Sequence, residues 1–301
     1  MPREIEVKSV LNKSKKRDSW FLSDYSFNPY SSCAFNCLYC YIRGSKYGEN
    51  LETSLAVKIN SIEILEKQLA SRAKKGQYGY IVLSSATDPY LKLEKEYKLS
   101  RKALELIHAY RFPVHMITKS DLILRDLDIL EKIDRDAHIP EGLQAHIRNG
   151  CIISFSFSFL NDEYGKIFEP GATPSSQRLK ALQEVLSQGF LAGVSLMPLL
   201  PFISDTTEHL DLLFSTFKES KVRYVLPAST TLYGEGKADS KTLMMRAIRK
   251  HFPKLEKRYL KYFSDGPEMP VYYRNAFYQK MKDICQEYQI HDAILKASRF
   301  S

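Results

Sequence analysis

The sequence predicts an α/β chain: an open, partial barrel of six parallel strands, (β/α)6, followed by a helical extension. Three observations predict it. Short apolar runs alternate with stretches of helical periodicity from about Tyr25 to Leu226, which implies parallel pairing and right-handed crossovers. About six such units fit, too few to close an eight-stranded barrel. Polar side chains gather where the predicted strands end, and open parallel sheets bind their ligands there.

A first strand is expected near Tyr25–Asn28, with a cysteine-rich loop after it. Lys58 to Ala73 places Ile59, Ile62, Leu65 and Leu69 at helical spacing, and Gly76 and Gly79 then break the chain before the next strand. Tyr80–Ser84 is a buried strand. Ser100 is positioned to cap a helix over Arg101–Tyr110, with Leu104 and Ile107 facing inward. Pro113–Thr118 is a strand and Leu122–Ile133 a helix. After a loop around Pro140, Gly142 and Gly150 comes the strand Cys151–Phe157. Ser176–Gln188 is a helix stopped by Gly189. Gly193–Met197 is a strand, Thr207–Lys218 a helix and Val222–Leu226 the last strand. Residues 241–301 are mostly helical, with Met244, Met245, Ile248 and Phe252 spaced for packing. These readings divide the chain into a basic extension (1–22), a core (23–238) and a helical extension (239–301).

Composition sets outer bounds. Hydrophobic content of 44% and charged content of 26% are those of an ordinary globular chain. No apolar run approaches the ~20 residues needed to span a bilayer, so no membrane partner is expected. The first residues lack the apolar core of a signal peptide, so a cytoplasmic location is expected. The net charge is +9. Part of it lies at Arg3, Lys8, Lys13, Lys15, Lys16 and Arg17. Residues 241–263 carry eight Lys or Arg against the single acid Glu256. Such a segment suits nucleic-acid contact or a solvated helix face.

The most specific feature is Cys33-Ala34-Phe35-Asn36-Cys37-Leu38-Tyr39-Cys40, a C-x3-C-x2-C loop with an aromatic residue before the third cysteine. Three thiolates this close can hold three irons of a [4Fe–4S] cluster and leave the fourth iron open to a small molecule. A zinc site or a ferredoxin-like site completed from afar are the alternatives. Structural zinc prefers paired C-x2-C units and four ligands, and only the solitary Cys151 and Cys285 remain. Disulfides are not expected in a chain of this length with five cysteines and no secretion signal. The seven histidines are scattered without metal spacing.

The cysteine loop resembles the radical S-adenosylmethionine (radical SAM) superfamily. The strand ends extend the likeness: Asn28-Pro29-Tyr30, Ser84-Ser85-Ala86-Thr87-Asp88-Pro89-Tyr90, Thr118-Lys119-Ser120 with Leu124-Arg125-Asp126, the serines 154, 156 and 158, Glu169-Pro170-Gly171 with Arg178, and Pro198-Leu199-Leu200-Pro201. In this order they are similar to the spore photoproduct lyase-like (DNA repair photolyase-like) branch, from about Tyr25 to Pro201. The resemblance implies the same partial barrel. It implies a [4Fe–4S] cluster on Cys33, Cys37 and Cys40, with S-adenosyl-L-methionine on the open iron. It implies an electron from a flavodoxin- or ferredoxin-type donor and reductive cleavage to a 5′-deoxyadenosyl radical. Carried over residue by residue, Lys119 and Ser156 match cofactor-contacting positions, the Tyr39 backbone lies near the adenine, and Thr87 and Asp88 are neighbours.

Other readings stay open beside these. Lys119 also fits a solvent-facing residue at a helix start. Ser154 and Ser158 fit packing positions, Arg178 a helix salt bridge, and Glu169-Pro170-Gly171 a fixed turn. Gly234-Glu235-Gly236 is a weak phosphate-binding signal. One departure matters. In the lyases a cysteine at the tip of the second strand donates a hydrogen atom; here Ser85 stands there, and the catalytic residue is not identified. Nucleic acid is the expected substrate, a small molecule or peptide the rival. A non-catalytic iron–sulfur redox or sensor protein is the reading from another class.

Overall fold

A computed structural model of the chain describes residues 2–45, 54–83 and 86–297. The N-terminal part holds β1 (Arg3–Ile5), β2 (Leu11–Lys13), β3 (Tyr25–Phe27), β4 (Tyr30–Ser31) and β5 (Ala56–Lys58). The alternating part runs α1 (Ser61–Lys74), β6 (Ile81–Leu83), α2 (Glu94–Tyr97), α3 (Leu99–Ala109), β7 (Val114–Thr118), α4 (Leu127–Asp136), α5 (Glu141–Gln144) and β8 (Cys151–Ser156). It continues through α6 (Asp162–Phe168), α7 (Ser175–Ser187), β9 (Leu191–Leu199), α8 (Thr207–Glu219) and β10 (Val225–Ser229). The tail is α9 (Ser240–His251), α10 (Glu256–Tyr262), α11 (Val271–Glu287) and α12 (Ile294–Ala297).

The main sheet has the order β10-β9-β8-β7-β6-β3-β2. Its six strands from β3 to β10 pair in parallel, and β2 adds an antiparallel edge on β3. The six-stranded parallel core expected from the alternation is present, with its two edges at β10 and β2. A second, three-stranded sheet has the order β1-β5-β4. The basic N-terminal segment therefore contributes β1 to one sheet and β2 to the other. Its three-residue strands are too short to show a period-2 pattern.

Alternation sorts the strand residues into two layers. Ile81, Leu83, Val114, Met116, Ile153 and Phe155 pack outward against Leu65, Leu104, Ile107, Leu130, Leu182 and Phe214 of the helices. On the other face Ile152, Leu191, Tyr224 and Leu226 pack with Leu22, Leu143, Ile147 and Ile294. The segments carrying Leu22, Leu143 and Ile147 precede β3 or β8, so this apolar plug closes the amino end of the sheet. Above it, buried His115 bonds the Phe21 carbonyl (2.9 Å) and Ser154 Oγ (2.8 Å), and Ser154 meets the Tyr224 hydroxyl (2.8 Å). Access to the interior is left at the carboxyl end.

Several boundaries differ from the sequence reading. Ser100 lies inside the first turn of α3. The Glu94 carboxylate, buried at the start of α2, accepts from the amides of Ser100 (3.0 Å) and Arg101 (3.2 Å) and takes over the capping role. The helix expected over Leu122–Ile133 is a 3-10 turn at Asp121–Asp126 followed by α4; Asp126 is buried there against Arg125. Lys58 is in a strand, and α1 starts after Asn60, whose amide side chain bonds Val7 in both directions at 3.0 Å. The last strand is displaced to Val225–Ser229. Among the described residues no helix is long and apolar enough to cross a membrane.

Candidate active site

The cysteine loop leaves β3 at the carboxyl end of the sheet. Two left-handed residues, Ser32 (φ 65°) and Asn36 (φ 56°), reverse the chain. Phe35 is buried beside Tyr30, Val57, Leu91 and Leu99, with Cys33 and Cys37 packed against that group. Cys40 N donates to Cys37 O (3.3 Å) and Arg43 N to Cys40 O (3.0 Å), so the last two cysteines lie on successive turns. Fully buried Arg43 organises the rest. Its guanidinium donates to Cys37 O (3.2 Å), Ala238 O (3.0 Å) and the Asn36 side chain.

The loop is fixed to a second segment, Phe168–Gly171. Leu38 N donates to Phe168 O and Gly171 N to Phe35 O, both at 2.9 Å. A Cβ on Gly171 would lie 2.4 Å from Ala34 O and 2.9 Å from Phe35 Cα. Only glycine permits this backbone approach. Between the two contacts, Glu169 is 2% exposed. Its carboxylate accepts from the Tyr39 hydroxyl and from Arg178 Nη2, and lies 3.9 Å from Lys119 Nζ. Burial pushes this carboxyl up, but Arg178, Lys119 and the Tyr39 hydroxyl together hold it below the usual carboxylate range. Arg178, also buried, further donates to the Ser156 carbonyl and to Ser175 Oγ (2.9 Å) and covers the Phe157 ring at 5.1 Å. Arg178 is thus the salt-bridge residue that its sequence context suggested. Its partner, nine positions away, could not be read from helical spacing.

The strand tips meet the loop. Thr87 donates its hydroxyl to the Ser32 carbonyl. Asp88 accepts from the Thr118 hydroxyl (2.8 Å) and Tyr90 N (2.9 Å) through one oxygen, and from Lys119 N (2.8 Å) through the other. Burial pushes the Asp88 carboxyl up to about 6 against these hydrogen bonds. Thr87 thus ties the segment after β6 to the cysteine loop, and Asp88 ties it to the tip of β7. Lys119 is not in solvent: its side chain is 13% exposed. Its Nζ makes no hydrogen bond within the described residues and lies 5.9 Å from the centre of the Tyr39 ring. Ser156 ends β8, is 8% exposed and pairs in register with Ser195. Ser158 donates to the Tyr39 hydroxyl (3.0 Å), while Ser154 belongs to the interior layer below.

Other candidates lie elsewhere. The Gly234–Gly236 turn wraps the Asp239 carboxylate, which accepts from Gly236 N at 2.7 Å, so a protein carboxylate fills that turn. Cys151 begins β8 beside Val114, at the amino end of the sheet. Cys285 is buried in α11 within the outer core. Ser84 and Ser85 fall outside the described residues.

The donor set fits a cluster with one iron left to a ligand. The cysteine loop brings three partly exposed thiols, and the two remaining cysteines are remote. Burial pushes all three thiols up, Cys33 to about 12 with Asp88 adding to it, so metal binding has to displace their protons. Among the described residues no three His, Cys, Asp or Glu converge on a single ion; a cubane takes each thiolate on a different iron. Lys119 Nζ, without a hydrogen bond beside this loop, is a donor suited to a carboxylate.

The family model described as the radical SAM superfamily matches residues 27–213. An uncharacterized protein of Mycobacterium tuberculosis is 25% identical over 293 residues, covering 95% of this chain and 81% of its own. A tyrosine-to-phenylalanine variant of spore photoproduct lyase superposes with a TM-score of 0.61 at 14% identity, covering 95% of this chain and 78% of that one. A cysteine-to-serine variant of the lyase gives 0.55 at 18% identity over 81% of this chain, which spans 65% of that lyase chain. At such identities the likeness to the solved structures is one of fold.

Proposed function

This chain belongs to the radical SAM superfamily and is an enzyme of that chemistry, and from that premise we propose that Cys33, Cys37 and Cys40 hold its [4Fe–4S] cluster. Held there with S-adenosylmethionine on its open iron, the cluster would supply one-electron radical chemistry, with the electron coming from a flavodoxin- or ferredoxin-type donor. The chain's own residues position and enclose. Lys119 Nζ binds the cofactor carboxylate, Ser156 Oγ a ribose or carboxylate oxygen, and the Tyr39 backbone lies beside the adenine. Thr87 and Asp88 act one step back, holding the strand tips that carry Lys119. The apolar plug at the amino end keeps water from entering behind the reacting groups. The substrate then approaches over the carboxyl edge, and nucleic acid is the substrate class proposed, supported by the basic segment 241–263.

The observation that carries this reading is the Glu169 junction. One buried carboxylate ties the cysteine loop, through Tyr39, to the β7 tip, through Lys119, and to α7, through Arg178. A carrier of electrons alone needs no such link between the thiols and a lysine at a strand tip. The test is anaerobic reconstitution of the full chain. About four irons and four sulfides per chain are expected, with 5′-deoxyadenosine formed from S-adenosylmethionine and dithionite. Stoichiometric zinc without iron uptake would sink the cluster assignment. Product analysis with nucleic acids, peptides and cell extract separates the substrate classes.

A further inference from the structure

The C-terminal extension carries a feature that the cofactor site does not use. Phe202 stands in the turn directly after the carboxyl end of β9, in the left-handed region at φ 62°. Its ring meets Tyr262 of α10 at 5.4 Å and Tyr273 of α11 at 5.6 Å between centroids, and Tyr272 lies 6.3 Å from Tyr262. Arg258, one turn before Tyr262 on α10, covers Phe202 at 5.2 Å. The start of α11 is held at the same edge. Leu232 N, just past β10, donates to Pro267 O at 2.7 Å, and Thr231 bridges Glu268. Phe202, Tyr262 and Tyr273 pack on the same hydrophobic cluster as Cys37, Leu38 and Tyr39 of the cysteine loop. The patch therefore stands on the carboxyl side, against the candidate site.

Its exposure and charge are unusual for a patch with only a folding role. Tyr272 is 63% exposed and is not among the residues packed on that cluster. Lys254, Lys257, Arg258 and Lys261 are exposed, and none pairs with a carboxylate among the described residues. The nearby acids are engaged: Glu256 with Arg249 and Glu268 with Arg274, both at 2.7 Å, and Asp265 with the Ser264 hydroxyl at 2.8 Å. Aromatic faces beside unpaired cations form the surface that binds single strands, with rings stacking on bases and cations taking phosphates.

We propose that the Phe202 turn, α10 and the first turn of α11 form a platform on which unpaired nucleobases stack at the mouth of the barrel, with Lys257, Arg258 and Lys261 along the phosphates. This rests on the reading of nucleic acid as the substrate and specifies its form: single-stranded, or locally unpaired. Tyr272 and Tyr262 supply the stacking faces. Phe202 supports Arg258 from below.

The test uses the reconstituted full chain and a short fluorescein-labelled thymidine strand, followed by anisotropy over a salt series. Binding that weakens with salt is expected, with duplex of the same length competing poorly. Tyr272→Ala should weaken binding about tenfold or more with an unchanged salt slope, and Tyr272→Trp should restore it. Lys257→Ala or Lys261→Ala should lower the salt slope by about 0.7 each. Binding by Tyr272→Ala equal to wild type would overturn the proposal. So would equal competition by duplex, or no binding at low salt. Formation of 5′-deoxyadenosine without nucleic acid, measured on the same samples, reports the proposed radical chemistry separately. If it is intact while strand binding fails, the platform alone is wrong; if it is absent, the proposed function fails first.

Discussion

Lys119 directly follows β7 and His115 lies near the start of that strand, and burial acts on them differently. Lys119 lies at the mouth with Nζ 3.9 Å from Glu169, close enough for attraction and too far for a hydrogen bond. Its donors remain available to a ligand carboxylate. Lys119→Met should therefore weaken S-adenosylmethionine binding by about 1.5–3 kcal/mol, the range for hydrogen bonds to charged groups, with iron content unchanged. Calorimetry on the reconstituted protein checks this, and unaltered affinity would remove Lys119 from the cofactor site. His115, deeper on β7, has both ring nitrogens bonded inside the protein. Burial holds its pKa down at about 4, against an ordinary value near 6.5. The unfolded chain then binds the extra proton first. The stability tied to neutral His115 is complete above about pH 6.5 and is lost as pH falls toward 4, by about 3 kcal/mol in all. Urea unfolding of the cluster-free protein across this window should show a steeper pH dependence than His115→Gln. Equal slopes would mean that the imidazole is protonated in the fold.

At the scale of elements, the cysteine loop is only as well placed as the turn it rests on. Gly171 is the point of closest approach. Gly171→Ala puts a methyl 2.4 Å from the Ala34 carbonyl, between Cys33 and Cys37. Neither backbone can yield without breaking the Gly171–Phe35 hydrogen bond. The expected outcome is a folded protein with clearly reduced iron after reconstitution, read by iron analysis alongside circular dichroism. Full iron loading would show that the loop has more play than this contact implies. This dependence explains what the sequence made legible. β6, β7, β8 and β9 are mostly apolar runs between helices of clear periodicity, so burial on both faces announces them. C-x3-C-x2-C is local, so it is read without any fold. Glu169 and Arg178 were visible only as a turn and a helix residue, because their contact arises when α7 folds back on the tip of β8. Strands β1, β2, β4 and β5 have two or three residues each, below the length at which any period can be counted. The cap of α3 is not legible in its own residues, because Glu94 reaches it from the preceding helix and N-cap preferences describe only the residue at the helix start.

At the scale of the whole molecule, the main sheet is an open, partial barrel plugged at its amino end, with the candidate site at the other, and this geometry bears on how a radical reaction would finish. The resemblance to spore photoproduct lyases implies a thiol at the tip of the second strand as hydrogen-atom donor, and this chain has Ser85 at that position. A hydroxyl holds its hydrogen much more tightly than a thiol. Neither remaining cysteine can substitute from its place. Cys151 opens β8 at the amino end, on the outer face with the helices, and Cys285 is buried in α11. Both thiols are pushed up by burial, Cys285 to about 12, and neither faces the interior above the plug. We therefore expect reconstituted protein, supplied with S-adenosylmethionine and dithionite, to release 5′-deoxyadenosine yet repair spore-photoproduct dinucleotide poorly or not at all. Ser85→Cys should raise repair if the substrate otherwise fits the mouth. Mass spectrometry of nucleoside products decides between the outcomes. Efficient multiple-turnover repair by the unaltered chain would mean that a tyrosine or another group supplies the hydrogen atom. Failure of Ser85→Cys to improve repair, with 5′-deoxyadenosine still formed, would instead point to a substrate of different shape. The donor position and the surface beyond it would then be matched to that substrate, and the lyase would share with this chain its fold and radical chemistry alone.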